Sequence, residues 1–338
     1  MSRIIVVPAA AIHIPFTADE NNDYPILWND KNFINDYHIA EVKKDGSRYC
    51  LYLDAPGKSL LLSKRISEVT GQYVDKTLNC PHLTRVAIPE QFWGTVFDGE
   101  IVNPAHLKSD GTTSIMGCGP EKAVARQKES GWVEYHIYDV PFYCGVDIRQ
   151  KPLHYRREIM KLVTNLLNTI IPIQYCKAVS AKDAERLYKK VISMGGEGIM
   201  LKDLRSFYGE GWFKVKRVRT WDVCIMGFEP AKTHSKKVDG TVSETAFHAK
   251  GLVGSIKFGM YQNGVLVELG TCSGFSEKLR REMSARPQDF IGKVIEIKAQ
   301  ERTKTGKFRH ARVAKDKRGI EKFRDDKAPS QCVDTGDK

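Results

Sequence analysis

The sequence predicts an α+β protein of two domains. The first, residues 1–220, is read as antiparallel strands with helices, and the second, residues 221–338, as a small β-barrel of the OB type. Three observations carry this reading. The chain has 338 residues, long for one domain and comfortable for two. Up to Thr220, strand-like runs alternate with a few helical stretches. After Arg219-Thr220 the pattern shifts to short strands with one interposed helix, over roughly 110 residues.

The elements follow in order. Residues 1 to 37 look irregular, with Pro8, Pro15 and Pro25 and the turn-rich Asn21-Asn22-Asp23. A strand begins at His38. Period two puts Ile39, Glu41 and Lys43 on one of its faces and Ala40 and Val42 on the other. Asp45-Gly46 reads as a hairpin turn into the strand Tyr49–Leu53, and Ala55-Pro56-Gly57 as the turn before Leu60-Leu61-Leu62. A helix is expected at Pro81–Ile88, a strand at Thr95–Val102, a polar loop and then a helix at Glu121–Glu129, and a strand at Val133–Val140. Residues 152–170 read as a helix whose apolar stripe is Ile159, Leu162, Leu166 and Leu167. A helix over Ala181–Met194 ends at Gly195-Gly196, and strands follow at Glu197–Leu201 and Trp212–Val218. The second domain is expected to hold strands at Val223–Phe228, Leu252–Met260, Val265–Gly270 and Lys293–Ala299, with a helix at Ser276–Ala285.

Composition narrows the function classes. With 41% hydrophobic and 28% charged residues, wholesale disorder is excluded. A net charge of +12 points to an anionic partner, nucleic acid first, although a solvated basic surface accounts for it equally well. Residues 302–318 hold eight basic residues and one acid, Asp316. Arg302, Lys304, Lys307, Arg309 and Arg312 are candidate contacts to a phosphate backbone there. The eight cysteines are widely spaced with no C-x-x-C pair, so neither a zinc site nor a disulfide framework is indicated and a reducing compartment fits. No apolar run is long enough to span a membrane, and the opening Ile4-Ile5-Val6-Val7 makes a poor signal peptide. A cytoplasmic protein is expected.

The chemistry is concentrated in Lys43-Lys44-Asp45-Gly46-Ser47-Arg48, where a lysine, a carboxylate, a turn glycine and a guanidinium fall within six residues. A lysine attacks phosphorus only as the neutral amine, so its pKa must be lowered by neighbouring cations or by burial. Lys43 is the better nucleophile, because Lys44 points to the opposite face by period two. Lys214 and Lys216 alternate onto one strand face, where they can neutralise charge on a phosphate and help keep Lys43 neutral. Glu197 is a hard-oxygen ligand suited to Mg²⁺ (or Mn²⁺). Tyr138 taken alone reads as an ordinary core tyrosine but also offers a flat ring for stacking on a base, and Met200 packs either against that base or in the core.

Five stretches in this order resemble the motifs of the covalent nucleotidyltransferases: Lys43–Arg48, Phe97–Val102, Ile137–Val140, Glu197–Lys202 and Trp212–Lys216. Within that superfamily the chain resembles the ATP-dependent DNA ligases of compact viral or bacterial type. The resemblance spans residues 38 to 327 and implies a nucleotidyltransferase domain of ATP-grasp-like antiparallel sheets with helices, followed by an OB-fold domain. It implies Lys43 as the nucleophile toward ATP, with Glu41 accepting from the adenine amino group and Arg48 and Glu100 around the ribose and phosphates. Lys202, Lys214 and Lys216 join the nucleotide site, and Glu197 with Glu100 holds the metal. Ser63 and Arg65 resemble a motif that touches DNA, although Lys64 intervenes. Arg324 and Lys327, in Arg324-Asp325-Asp326-Lys327, resemble the motif that orients the pyrophosphate leaving group, with a hinge near Arg219–Asp222. Neither the large N-terminal DNA-binding domain of eukaryotic members nor the zinc and helix-hairpin-helix apparatus of NAD-dependent ligases is expected in this reading. The expected activity is sealing of nicked duplex DNA by a monomer that needs no membrane. The rivals are an mRNA capping guanylyltransferase, an RNA ligase and a non-catalytic nick- or single-strand-binding protein.

Overall fold

A computed structural model describes residues 35–67, 71–106, 109–216, 219–236, 242–299, 302, 306–308, 310–316 and 318–335. By internal contacts the chain divides into two compact units, Met1–Lys216 and Arg217–Lys338.

The first unit has two sheets. Its strands are β1 (His38–Val42), β2 (Ser47–Tyr52), β3 (Leu60–Ile66), β4 (Tyr73–Asp75), β5 (Val96–Val102), β6 (Glu134–Tyr143), β7 (Val146–Asp147), β8 (Ile173–Tyr175), β9 (Ala178–Ser180), β10 (Gly198–Asp203) and β11 (Trp212–Lys216). Its helices are α1 (Pro81–Thr84), α2 (Ser109–Met116), α3 (Pro120–Ser130), α4 (Leu153–Leu167) and α5 (Ala184–Ser193). The larger sheet runs β4-β3-β2-β5-β6-β7, with β8 beside β6, and the smaller runs β11-β10-β1-β9. Alternation along β2 explains why the larger sheet is covered on both faces. Tyr49 and Leu51 join Phe97, Ile101, Tyr135 and Met160 in one core, and Cys50 and Tyr52 join Leu62, Val96 and Phe142 in another. The smaller sheet buries Ala40, Ile199, Leu201 and Val215 against Ala184 and Val191 of α5.

Three expectations are corrected. Asp45-Gly46 is not a hairpin turn. β1 pairs with β9 and β10 while β2 pairs with β3 and β5, so residues 43–46 cross from one sheet to the other. Gly46 is needed there for space, because a Cβ would lie 2.0 Å from the Ile101 carbonyl oxygen. The polar loop before residue 121 contains α2, whose Thr112 hydroxyl accepts from Asn103 N–H and whose Ile115 and Met116 are buried. The stripe predicted on α4 is rotated. Leu153, Met160, Val163 and Leu167 face the core with Arg156 and Arg157, while Leu162 and Leu166 are each 52% exposed. The buried arginines set this rotation, since each meets a carboxylate inside.

The second unit contains β12 (Arg219–Pro230), the hairpin β13 (His234–Lys236) and β14 (Val242–Glu244), α6 (Ala246–Ala249), β15 (Val253–Gln262), β16 (Val265–Cys272), α7 (Glu277–Ala285), β17 (Val294–Ala299) and β18 (Arg312–Val313). The sheet order is β16-β15-β12-β17-β18. Val313 N–H also donates to the Ser273 carbonyl, and a parallel bridge joins Ser273 to Arg312, so the two edges of the sheet meet. Residues 219–222, expected as a hinge, are the start of β12 and pair with β17 from Ala299 to Glu296. All eight cysteines are free thiols. Among the described residues no helix is long and apolar enough to cross a membrane.

Candidate active site

A cavity of about 510 Å³ opens between the two sheets of the first unit. The smaller sheet supplies Glu41, Met200, Lys202, Trp212 and Lys214, and the larger supplies Arg48, Ser63, Arg65, Glu100 and Tyr138. Lys43 enters from the crossing segment. Strand register explains the grouping. Glu41 lies opposite Met200, and Met200 opposite Lys214, so the three form one row on the cavity face.

Lys43 sits one residue past β1, with its backbone N–H still donating to Gly198 O. Its Nζ lies 2.6 Å from Glu197 Oε2, and the two side chains are 18% and 16% exposed. Burial pulls the Lys43 amine down, but Glu197, Glu100 and Asp45 outweigh it and the net shift is upward. This corrects the expectation that Lys43 is held neutral: here its ammonium is stabilised by carboxylates. Glu100 shows the opposite imbalance. Burial raises its carboxyl to about 7 despite Lys43 and Arg48 beside it.

At the closed end, Glu41 is 1% exposed. Its Oε1 accepts from Arg157 of α4, and Lys202 Nζ lies 2.7 Å from its Oε2. Lys202 also donates to Tyr138 O at 3.0 Å and lies 4.1 Å from the centre of the Trp212 ring. Tyr138 meets Trp212 edge-on, with ring centres 5.6 Å apart. Arg48 is gripped by Asp98 through Nε at 3.0 Å and Nη2 at 2.6 Å, and the Tyr208 hydroxyl donates to the same carboxylate. Arg156 holds Asp139 through two hydrogen bonds of 2.8 Å, both side chains fully buried.

The cavity thus gathers Glu41, Lys43, Arg48, Ser63, Arg65, Glu100, Tyr138, Met200, Lys202 and Lys214. The Ser63 hydroxyl also accepts from Arg65 N–H in a local turn. Lys216 pairs by backbone with Gly198, but its side chain, like Lys304 and Arg309, lies outside the described residues. In the second unit Arg324 and Lys327 both bind Asp222, and Arg324 also binds Asp326. Lys307 and Arg312 are exposed. Arg302 is corrected from a surface cation to a structural one. It is 9% exposed, bonded to both oxygens of Asp334, and lies 4.4 Å from the Phe308 ring centre. Sequence reasoning gave no role to Asp98, Asp139 and Trp212, although they lie in the quoted motifs, and missed Arg156, Arg157 and Tyr208. For the two arginines the available signal was their falling between Leu153 and Met160, at the spacing of the helix's buried face.

The first unit is thus an α+β domain of two sheets, antiparallel except for the β6–β8 pair, around a cavity lined by Lys43, which pairs with Glu197. A family model described as the ATP dependent DNA ligase domain matches residues 28–221, and the chain belongs to that family. The DNA ligase of Archaeoglobus fulgidus is 27% identical over 197 residues, which is 56% of this chain and 34% of that protein. DNA ligase 2 of Thermofilum pendens is 29% identical over 189 residues, 53% of this chain and 30% of that protein. The chain therefore spans about a third of the length of these curated relatives. Among solved structures, one from a structure–function study of Lig E DNA ligases superposes with a TM-score of 0.58 at 19% identity. The match covers 89% of this chain and 98% of that one, a likeness of fold.

Proposed function

We propose that the protein is an ATP-dependent DNA ligase that seals 5′-phosphate/3′-hydroxyl nicks in duplex DNA. The observation that carries this is Lys43, paired with Glu197, lining a nucleotide-sized cavity in a chain of the ligase family. The Lys43 Nζ lone pair attacks the α-phosphorus of ATP. The bond to the β-phosphate oxygen breaks, pyrophosphate leaves, and lysyl-AMP forms. AMP then passes to the 5′-phosphate at the nick, and the 3′-hydroxyl displaces it as the strand closes. Because Glu197 and Glu100 hold Lys43 protonated, the ion pair must open or give up its proton before attack, which keeps the resting lysine unreactive.

Glu41 is the acceptor for the adenine amine, Tyr138 the stacking ring, and Lys214 a cation for the α-phosphate. The carboxylates of Glu197 and Glu100 are the hard donors that Mg²⁺ takes in ones and twos beside substrate phosphates, so these residues fit the metal. Bound there, the metal would supply Lewis-acid stabilisation of charge on phosphorus. The second unit is read as an OB barrel. In support are the sheet order, the helix between β16 and β17, and the meeting of Ser273 with Arg312. Arg324 and Lys327, arranged on Asp222, serve the pyrophosphate, and exposed Lys307 and Arg312 serve DNA. The active form is a monomer.

Incubation with labelled ATP, mass mapping of the adduct, and then addition of a nicked duplex test this reading. A Lys43–AMP adduct followed by sealing is expected, and Lys43→Ala should give neither. Labelling by GTP alone would indicate a guanylyltransferase, sealing of RNA alone an RNA ligase, and nick binding without an adduct a non-catalytic protein.

A further inference from the structure

We propose that Arg157 is a positioning residue for nucleotide choice, fixing the Glu41 carboxylate so that the cavity takes adenine and refuses guanine. This rests on the ligase reading and goes beyond it, because Arg157 lies on α4, outside every motif that the resemblance supplies.

The geometry is a divided carboxylate. Arg157 Nη1 donates to Glu41 Oε1, while its Nη2 donates to Cys176 O at 3.3 Å, tying the guanidinium to the chain just before β9. Lys202 takes Oε2 at 2.7 Å. Each oxygen therefore already serves one cation, and all three side chains are 7% exposed or less. A carboxylate with both oxygens unencumbered presents two parallel acceptors. That pattern matches guanine, whose N1–H and exocyclic amine are adjacent donors. Adenine offers one donor on that edge, its amine, beside the N1 acceptor. Tying each oxygen from within the protein takes one of its lone-pair sites and fixes the plane of the carboxylate, so that its two oxygens are not turned in parallel toward a two-donor edge. Selectivity then arises from refusing the wrong base as well as from accepting the right one.

The cluster's charge makes the idea testable. Two cations share one carboxylate, so removing Arg157 leaves Glu41 and Lys202 as a one-to-one pair and strands no buried charge. It also frees Oε1. A residue that only filled space would affect both nucleotides alike.

The experiment measures kcat/KM for Lys43 nucleotidylation by ATP and by GTP in the full chain, for wild type, Arg157→Met and Arg157→Lys. We expect the Arg157→Met variant to lower the ATP-to-GTP ratio by about tenfold or more, with GTP labelling rising in absolute terms. Arg157→Lys keeps the charge but loses the fork, and should fall between. Parallel loss with both nucleotides, or an unmoved ratio, overturns the inference while leaving the ligase reading intact. A wild type labelled by neither nucleotide overturns that reading and this inference together. Should Arg157→Met fail to fold, the ratio in Arg157→Lys decides alone.

Discussion

The two ends of the cavity are built from the same parts and put to opposite uses. Glu41 lies on β1, an interior strand of the smaller sheet, with Lys43 two residues on, just past its end, and each pairs with the opposite charge. At the inner end a glutamate is held by two cations at 7% exposure or less. At the outer end a lysine is held by one glutamate, with both side chains above 15% exposed. Low dielectric makes the inner cluster costly to break, whereas water makes the outer pair easy to exchange. A recognition site gains from the first property and a nucleophile that must shed a partner gains from the second.

Removing the inner carboxylate is the largest expected perturbation of stability. Glu41→Leu leaves Arg157 and Lys202 buried without their anion and should cost about 3–5 kcal/mol in denaturant unfolding. A change below 1 kcal/mol would erase the contrast between the two ends. Glu100 comes next. Its raised pKa means that the folded protein keeps a proton which the unfolded chain releases between the ordinary carboxylate range and about 7. Stability therefore falls as pH rises through that window, and the cost is full above it. Glu100→Gln should gain about 3 kcal/mol at pH 8 and under about 1 kcal/mol at pH 5, by thermal melts at both values. Glu197→Gln opens the outer pair and should shift stability by no more than about 1 kcal/mol, although lysyl-AMP formation suffers. Smallest of all, Leu162→Lys on the exposed face of α4 should stay within about 0.5 kcal/mol. A loss of several kcal/mol there would restore the stripe that apolar spacing alone suggests.

The outer end was more legible in the sequence than the inner one. Lys43, Glu100, Glu197 and Lys214 lie in short local patterns, and period two places Glu41 beside Lys43. What closes the cavity is contributed across long sequence separations. Arg157 reaches Glu41 from a helix whose apolar residues allow more than one rotation. Arginine is read as exposed unless its partner is known, so the two burials conceal each other. The crossing at residues 43–46 was misread for a similar reason. Asp-Gly signals a tight turn, but nothing local says whether the strands it joins will pair with each other. In the second unit, β18 is only two residues long and falls in a basic stretch that reads as a surface. Arg302 was misplaced there because Asp334, its partner, is 32 residues away.

The crossing itself has a mechanical consequence. Four residues, 43–46, join β1 to β2, so the five steps from Val42 to Ser47 cap the reach at this link at roughly 17 Å even when the chain is fully drawn out. With Gly46 pressed against the Ile101 carbonyl, the link has little slack. A second link, residues 176 and 177 between β8 and β9, joins the same two sheets and is shorter still. A small molecule that wedged the sheets apart would therefore strain both links at once, and Lys43 sits on one of them.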